Sequence, residues 1–211
     1  MIRTFIWPFE DNVFVINHQI FFPLCIRIYH FVRQYFSDLV AYGTKITGSD
    51  HLVKDQIQEL FVRLWERRSF LGDVGNVKVY LLISLKNDLL QTKKVNSRKT
   101  PDLAIQNDLF AISSGDFIIE KEQEKELAAK VASNLAKLTA RQREVIYLRF
   151  YMNLDFPQLA EVLDMNIQSV RNLLFRTLEK IRKEVNGGDI QQSGNIELIL
   201  FSLFGYHVTL A

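Results

Sequence analysis

Apolar residues between Tyr29 and Ile46 recur as Phe31, Val32, Tyr35, Phe36, Leu39, Val40 and Tyr42. That three-to-four spacing predicts a helix with one buried face. Gly43 and Gly48 are expected to bracket a turn, with Ser49 or Asp50 capping the next helix. The second helix is predicted to run to about Arg68 and to bury Val53, Ile57, Leu60, Phe61, Leu64 and Trp65. On its other side Asp55, Gln58 and Glu59 fall at i, i+3 and i+4, a contiguous polar stripe. A glycine-bearing loop, Leu71 to Asn76, leads to a third helix predicted over Val77 to Lys94. From Val95 to Gly115 the periodicity lapses, and Pro101, Ser113, Ser114 and Gly115 mark a linker.

A second helical set follows. Phe117 to Lys137 is acidic and amphipathic. Thr139-Ala140-Arg141-Gln142 has the form of a capping box, in which the threonine hydroxyl accepts from first-turn amides and the glutamine reaches back. Asp155-Phe156-Pro157-Gln158 follows the same logic, with proline in the first turn where its missing N–H costs nothing. Asn166 caps a last helix that runs to about Val185, and Gly187-Gly188 stops it. The reading is therefore an all-α chain of two small helical domains joined by a flexible linker. The expected boundaries are 1–28 unassigned, 29–95 first domain, 96–119 linker, 120–186 second domain and 187–211 an unassigned apolar tail.

Composition excludes more than it selects. Hydrophobic residues are 48% and charged residues 24%, so the chain can bury a core and is not wholly disordered. Cys25 is the single cysteine, which excludes an internal disulfide and any zinc site built on cysteine pairs. His18, His30, His51 and His207 lie too far apart for a metal motif, and no glycine-rich phosphate loop occurs. No metal, no cofactor and no enzyme activity are expected. Arg3 is followed by too few apolar residues for a signal peptide, and Val13 to Ile28 is interrupted by polar residues. The apolar tail Ile196 to Ala211 falls short of the roughly 20 residues that cross a bilayer, so a cytoplasmic protein without membrane insertion is expected. Phe201 and Phe204 in that tail would be sticky if exposed, and packing is expected for them.

Charge is uneven. Residues 51–100 carry ten Lys/Arg against five Asp/Glu, residues 101–137 four against seven, and residues 138–186 eight against six. A basic, acidic, basic order suits two polyanion-binding lobes and a connecting segment that avoids them.

The strongest signal lies between Phe156 and Lys180. A helix-turn-helix needs a small residue where its helices touch, and Ala160 stands there. Four residues on, the turn needs tolerance of positive φ, and Asp164 occupies the place where glycine is commonest. Val170 supplies the aliphatic core residue of the second helix, with Leu159, Val162, Leu163, Leu173, Leu174, Leu178 and Ile181 completing the interior. Opposite this core, Gln168, Ser169, Arg171, Asn172 and Arg176 are placed to read base edges or grip phosphates in a major groove.

The run LTARQREVIYLRFYMNLDFPQLAEVLDMNIQSVRNLLFRTLEKIR resembles region 4 of bacterial RNA polymerase sigma factors of the sigma-70 family, extracytoplasmic-function (ECF) type. DQIQELFVRLWERR is similar to that family's region 2 signature, and Val77 to Lys94 matches the helix that follows it. The resemblance spans roughly Tyr29 to Val185, in order. It implies a promoter-specificity subunit. Core RNA polymerase would be held through its clamp coiled coil by Asp55, Gln58 and Glu59, with Leu60 and Trp65 as apolar neighbours, and through its flap. The −10 element would be opened and held single-stranded by Lys78, Tyr80, Lys86, Asn87, Lys93 and Lys94, cations for the backbone and an aromatic for an unstacked base. Arg98 and Lys99 extend that basic set. The −35 element would be read as duplex through Gln168, Ser169, Arg171, Asn172 and Arg176. An anti-sigma factor is a further implied partner. Two readings compete: a duplex-DNA regulator whose N-terminal lobe senses a ligand, and a sigma mimic that sequesters an anti-sigma factor. Single-strand affinity separates the first from a sigma factor, and the exposed basic recognition helix argues against the second. Promoter sequence, regulated genes and inducing signal are not legible.

Overall fold

The computed structural model describes residues 5–6, 15–16, 22–66, 75–99, 110–112, 117, 122–185, 197, 200 and 204. Two short strands, β1 (Phe5–Ile6) and β2 (Val15–Ile16), pair antiparallel with Phe5 opposite Ile16. All other regular structure among the described residues is helical, and the fold is all-α. The chain divides into one unit of Met1–Ser37 and a second of Asp38–Ala211. Residues 38–95 of the expected first domain and 120–186 of the expected second fall within the same unit.

Helix α1 (Phe22–Thr47) starts earlier than its periodicity predicts, because Pro23 fits a first turn. It also runs through Gly43, which was expected in a turn. A Cβ at Gly43 would meet Val53 Cγ1 at 2.6 Å and Leu89 Cδ1 at 3.2 Å, so the glycine is an approach site for neighbouring helices. Gly48 alone makes the turn, with φ +72°. Helix α2 (Asp50–Glu66) follows, and the Leu52 amide donates to Ser49 Oγ at 3.4 Å. Residues 67–74, which hold most of the expected glycine loop, lie outside the described residues. Helix α3 (Val77–Lys99) begins on Asn76, whose side chain accepts from the Val79 amide at 3.1 Å. It passes the expected end at Lys94 because no helix breaker intervenes before Pro101, which disfavours helical backbone at Thr100. Leu39, Tyr42, Ile46, Val53, Ile57, Leu60, Phe61, Val79, Leu82, Leu85 and Leu89 form the core of this half.

The second half contains α4 (Glu122–Ala136), α5 (Ala140–Ile146), α6 (Phe156–Leu163) and α7 (Ile167–Val185). Both predicted capping boxes form, Thr139 with Gln142 and Asp155 with Gln158. Helix α5 continues into a π-helical turn, Tyr147–Tyr151, that buries Tyr147, Leu148 and Phe150 together. Asn153, at φ 54°, ends it. Helix α7 is the hub, packing on α4, α5 and α6, while α3 packs on α6 and joins the halves.

Part of the expected linker belongs to this joint. Phe110 and Ile112 are buried, and the Phe110 ring lies 5.9 Å from Tyr42 and 5.5 Å from Tyr147, centroid to centroid. Arg143 donates to the Phe110 carbonyl, and the Ala111 amide to the Lys45 carbonyl at 3.4 Å. Burying a phenylalanine contributes about 1.5–3 kcal/mol, enough to hold a chain that polar composition alone would leave loose. The tail also packs: Leu200 and Phe204 are buried, with the Phe204 ring 5.1 Å from Phe117 and 5.9 Å from Tyr151. Phe201 lies outside the described residues.

Candidate nucleic-acid interface

The helix-turn-helix is built by local chemistry. Asp155 accepts from the Gln158 amide at 2.9 Å and Gln158 Oε1 accepts from the Asp155 amide at 2.9 Å, which fixes the start of α6. Asp164 ends α6 in the left-handed region at φ 49°, ψ 55°, as its position predicts. Asn166 Oδ1 accepts from the Ser169 amide at 2.7 Å and starts α7. Ala160, Val162, Leu163, Val170, Leu174, Leu178 and Ile181 are buried, whereas Leu173 is half-buried.

The predicted recognition residues share the outer face of α7. Gln168, Arg171, Asn172 and Arg176 are exposed and Ser169 is half-buried. Gln168 Nε2 donates to Asn172 Oδ1 at 3.3 Å, which preorders two amide side chains one turn apart. The Arg171 guanidinium lies 5.3 Å from the centre of the Phe156 ring, and that of Arg149 lies 5.4 Å from the same ring. Phe175 was not among the predicted residues. It is 66% exposed, the largest value for a large hydrophobic among the described residues, and stands one turn beyond Arg171 and Asn172. Its signal was present: on a helix, position 175 shares a face with 168, 171, 172 and 176.

On α2 the predicted polar stripe is at the surface. Asp55 is exposed and pairs with His51 Nδ1 at 3.1 Å; Glu59 is exposed and accepts from Gln56 Nε2 at 3.3 Å; Gln58 is half-buried. Leu60 is a correction. It is buried in the core, because position 60 falls on the helix side shared by Val53, Ile57 and Leu64. Val62, three residues after Glu59, is the exposed hydrophobe beside the stripe. The Trp65 side chain lies outside the described residues.

The α3 candidates split. Tyr80, 39% exposed, together with Asn87 and Lys94, stands at the surface. The others are turned inward. Lys78 pairs with Asp38 Oδ2 at 2.8 Å and donates to the Met152 carbonyl at 3.0 Å. Lys86, with only 16% of its side chain exposed, pairs with Glu144 Oε1 at 2.7 Å and donates to the Val162 carbonyl at 3.2 Å. Lys93 donates to the Ile46 carbonyl at 2.9 Å, and burial lowers its pKa. Side chains of Arg98 and Lys99 are outside the described residues. Glu144 is buried and accepts from Tyr42, Lys86 and Arg141. A buried carboxylate is tolerated only when so surrounded.

Among the described residues no group of three His, Cys, Asp or Glu is placed to hold a metal, and no helix is long and apolar enough to cross a membrane.

Comparison with known proteins agrees with this geometry. The sigma-70 region 4 family model matches residues 134–183. The chain is 19% identical over 157 residues to the ECF RNA polymerase sigma factor SigM of Bacillus subtilis (strain 168), covering 74% of this chain and 93% of that protein. Its fold is similar to that of the sigma factor RpoE in its co-crystal structure with the anti-sigma factor NepR from Bartonella quintana. That match has a TM-score of 0.53 at 18% identity, over 77% of this chain and 98% of the other. The region 4 match on the helix-turn-helix, and an ECF sigma factor aligned along most of its own length, make this chain similar to sigma-70-family factors of the extracytoplasmic-function type.

Proposed function

We propose that this chain is a sigma factor of the extracytoplasmic-function type, and that its α7 reads the −35 element of promoters as duplex DNA through Gln168, Ser169, Arg171, Asn172, Phe175 and Arg176. The observation that carries the reading is the outer face of α7, where cations, amides and one bare aromatic ring project together from a capped, buried support. Arginine pairs with guanine or phosphate, asparagine and glutamine with adenine, and an apolar ring with a thymine methyl group. The protein acts in transcription initiation as a sigma factor, directing core RNA polymerase to promoters.

The lobe assignment is residues 29–95 as region 2, 96–119 as linker and 120–186 as region 4. In region 2, Asp55, Gln58 and Glu59 contact the polymerase clamp, with Val62 as the apolar neighbour in place of Leu60. The −10 strand is held by Tyr80, Asn87 and Lys94, joined by Lys78, Lys86 and Lys93 when these are released from internal partners. RpoE is crystallised with an anti-sigma factor, and an anti-sigma partner is inferred here on that analogy. The protein works with polymerase in the cytoplasm and carries no reaction chemistry of its own.

Run-off transcription with core polymerase and a pool of host promoters tests the reading. Promoter-specific transcripts that vanish without the protein are expected, and their alignment supplies the −35 and −10 sequences. Failure to bind core polymerase or to initiate overturns it.

A further inference from the structure

Two of the cations assigned to the −10 strand, Lys78 and Lys86, are held by the other half of the same chain. Lys86 of α3 spends its ammonium on Glu144 Oε1 at 2.7 Å and on the Val162 carbonyl at 3.2 Å. Lys78 spends its own on Asp38 at 2.8 Å and on the Met152 carbonyl at 3.0 Å. An ammonium has three donors, and each of these has committed two within a half-buried site. Glu144 of α5, Val162 of α6 and Met152, just after the π-helical turn, all belong to the half that carries the −35 reader. A DNA phosphate reaching Lys86 therefore competes with a carboxylate and a carbonyl from the C-terminal half.

We propose that Glu144 is the catch of an internal latch that keeps Lys78 and Lys86 from single-stranded DNA while leaving the α7 face open. The inference rests on the reading of α3 as the −10 face. In the latched arrangement Gln168, Arg171, Asn172 and Arg176 are exposed. Duplex contact thus requires no rearrangement, whereas strand capture requires the halves to part. The latch imposes an order: the −35 duplex first, the −10 strand after opening.

The Glu144 carboxylate is the charged hold from the C-terminal half, beside the carbonyls of Val162 on Lys86 and Met152 on Lys78. Glu144 also accepts from the Tyr42 hydroxyl at 2.8 Å and from Arg141 at 3.2 Å, so two groups from the N-terminal half and one from its own helix converge on one carboxylate. Removing the negative charge leaves the half-buried Lys86 ammonium with the neutral Val162 carbonyl and no counter-charge from Glu144, which favours parting. A state that binds strand only when open has an apparent affinity reduced by its open fraction, so a loosened latch tightens strand binding without a new contact.

The test uses the full chain and a short fluorescein-labelled single-stranded oligodeoxynucleotide of mixed sequence, with binding read by anisotropy at fixed salt. Glu144→Gln is expected to bind the strand at least about fivefold more tightly than wild type. Tyr42→Phe, which keeps the ring and removes one donor to the catch, is expected to shift affinity the same way by a smaller factor. Lys86→Met is expected to weaken it. Binding of the same sequence as duplex is expected to be unchanged in Glu144→Gln. Circular dichroism melting verifies that each variant folds, and Tyr42→Phe decides if Glu144→Gln does not. If Lys86→Met weakens strand binding while both latch variants match wild type, the latch is overturned and the −10 reading stands. If Lys86→Met has no effect, the −10 assignment of Lys86 is overturned and the latch with it.

Discussion

The hydroxyl of Tyr42 in α1 donates to Oε1 of Glu144 in α5 at 2.8 Å, a buried bond between residues 102 positions apart. Burial first, and the Glu144 charge second, raise the Tyr42 pKa well above 10.0. A raised folded-state value means that the unfolded chain releases this proton first as pH climbs. The contribution of Tyr42 is therefore complete below pH about 10 and is lost progressively above it. Tyr42→Phe is expected to cost about 1.5–3 kcal/mol at neutral pH, the worth of a hydrogen bond to a charged group. The difference between variant and wild type should shrink at alkaline pH. Urea unfolding at neutral pH and above pH about 10 checks both.

At Gly43 two effects oppose one another. Helix propensity alone makes alanine better by about 1 kcal/mol. The added Cβ, however, meets Val53 Cγ1 at 2.6 Å, and overpacking costs about 1–3 kcal/mol. Gly43→Ala is expected to lower stability in denaturant unfolding; a stabilised variant contradicts the close approach of α1, α2 and α3.

Asp164 sits at φ 49° with its side chain exposed. Asp164→Gly relieves the left-handed conformation and is expected to be neutral or to add about 0.5 kcal/mol. Asp164→Val places a β-branched residue there and is expected to cost about 1–2 kcal/mol. Paired thermal melts of the two variants give the comparison.

Arg171→Ala and Phe175→Ala are each expected to weaken promoter duplex binding by about 1–3 kcal/mol. Their signatures differ. The Phe175 loss should fall on a thymine position and be mimicked by deoxyuridine, which lacks the methyl group. Titration of promoter duplexes with and without that substitution separates it from a phosphate contact by Arg171, which salt weakens instead.

Phe204 holds the tail by ring contacts with Phe117, Tyr147 and Tyr151. Phe204→Ala is expected to undock it. Limited proteolysis should then cut within residues 187–211 sooner than in wild type, and deletion of residues 190–211 should lower solubility by baring the aromatic cluster. An equally soluble, monomeric truncation contradicts the packing.

Helix identity, the caps at Thr139, Asp155 and Asn166, the left-handed turn at Asp164 and the polar outer face of α7 were all legible in the amino-acid order. Each depends on residues within four positions of one another, where hydrogen-bond reach and helical period are set by covalent geometry. The π-helical turn at Tyr147–Tyr151 left no such mark, since it is chosen by which rings must be buried together. Gly43 read as a turn residue because nothing nearby in sequence announces Val53 and Leu89 against it. Tertiary structure alone decided the fate of the charges. Lys78 and Lys86 read as DNA ligands, yet folding pairs Lys78 with Asp38 and sets Lys86 against the buried Glu144. Charge is a property of the residue, but its partner is whatever long-range packing brings within 3 Å, and the penalty for burying it alone enforces that pairing.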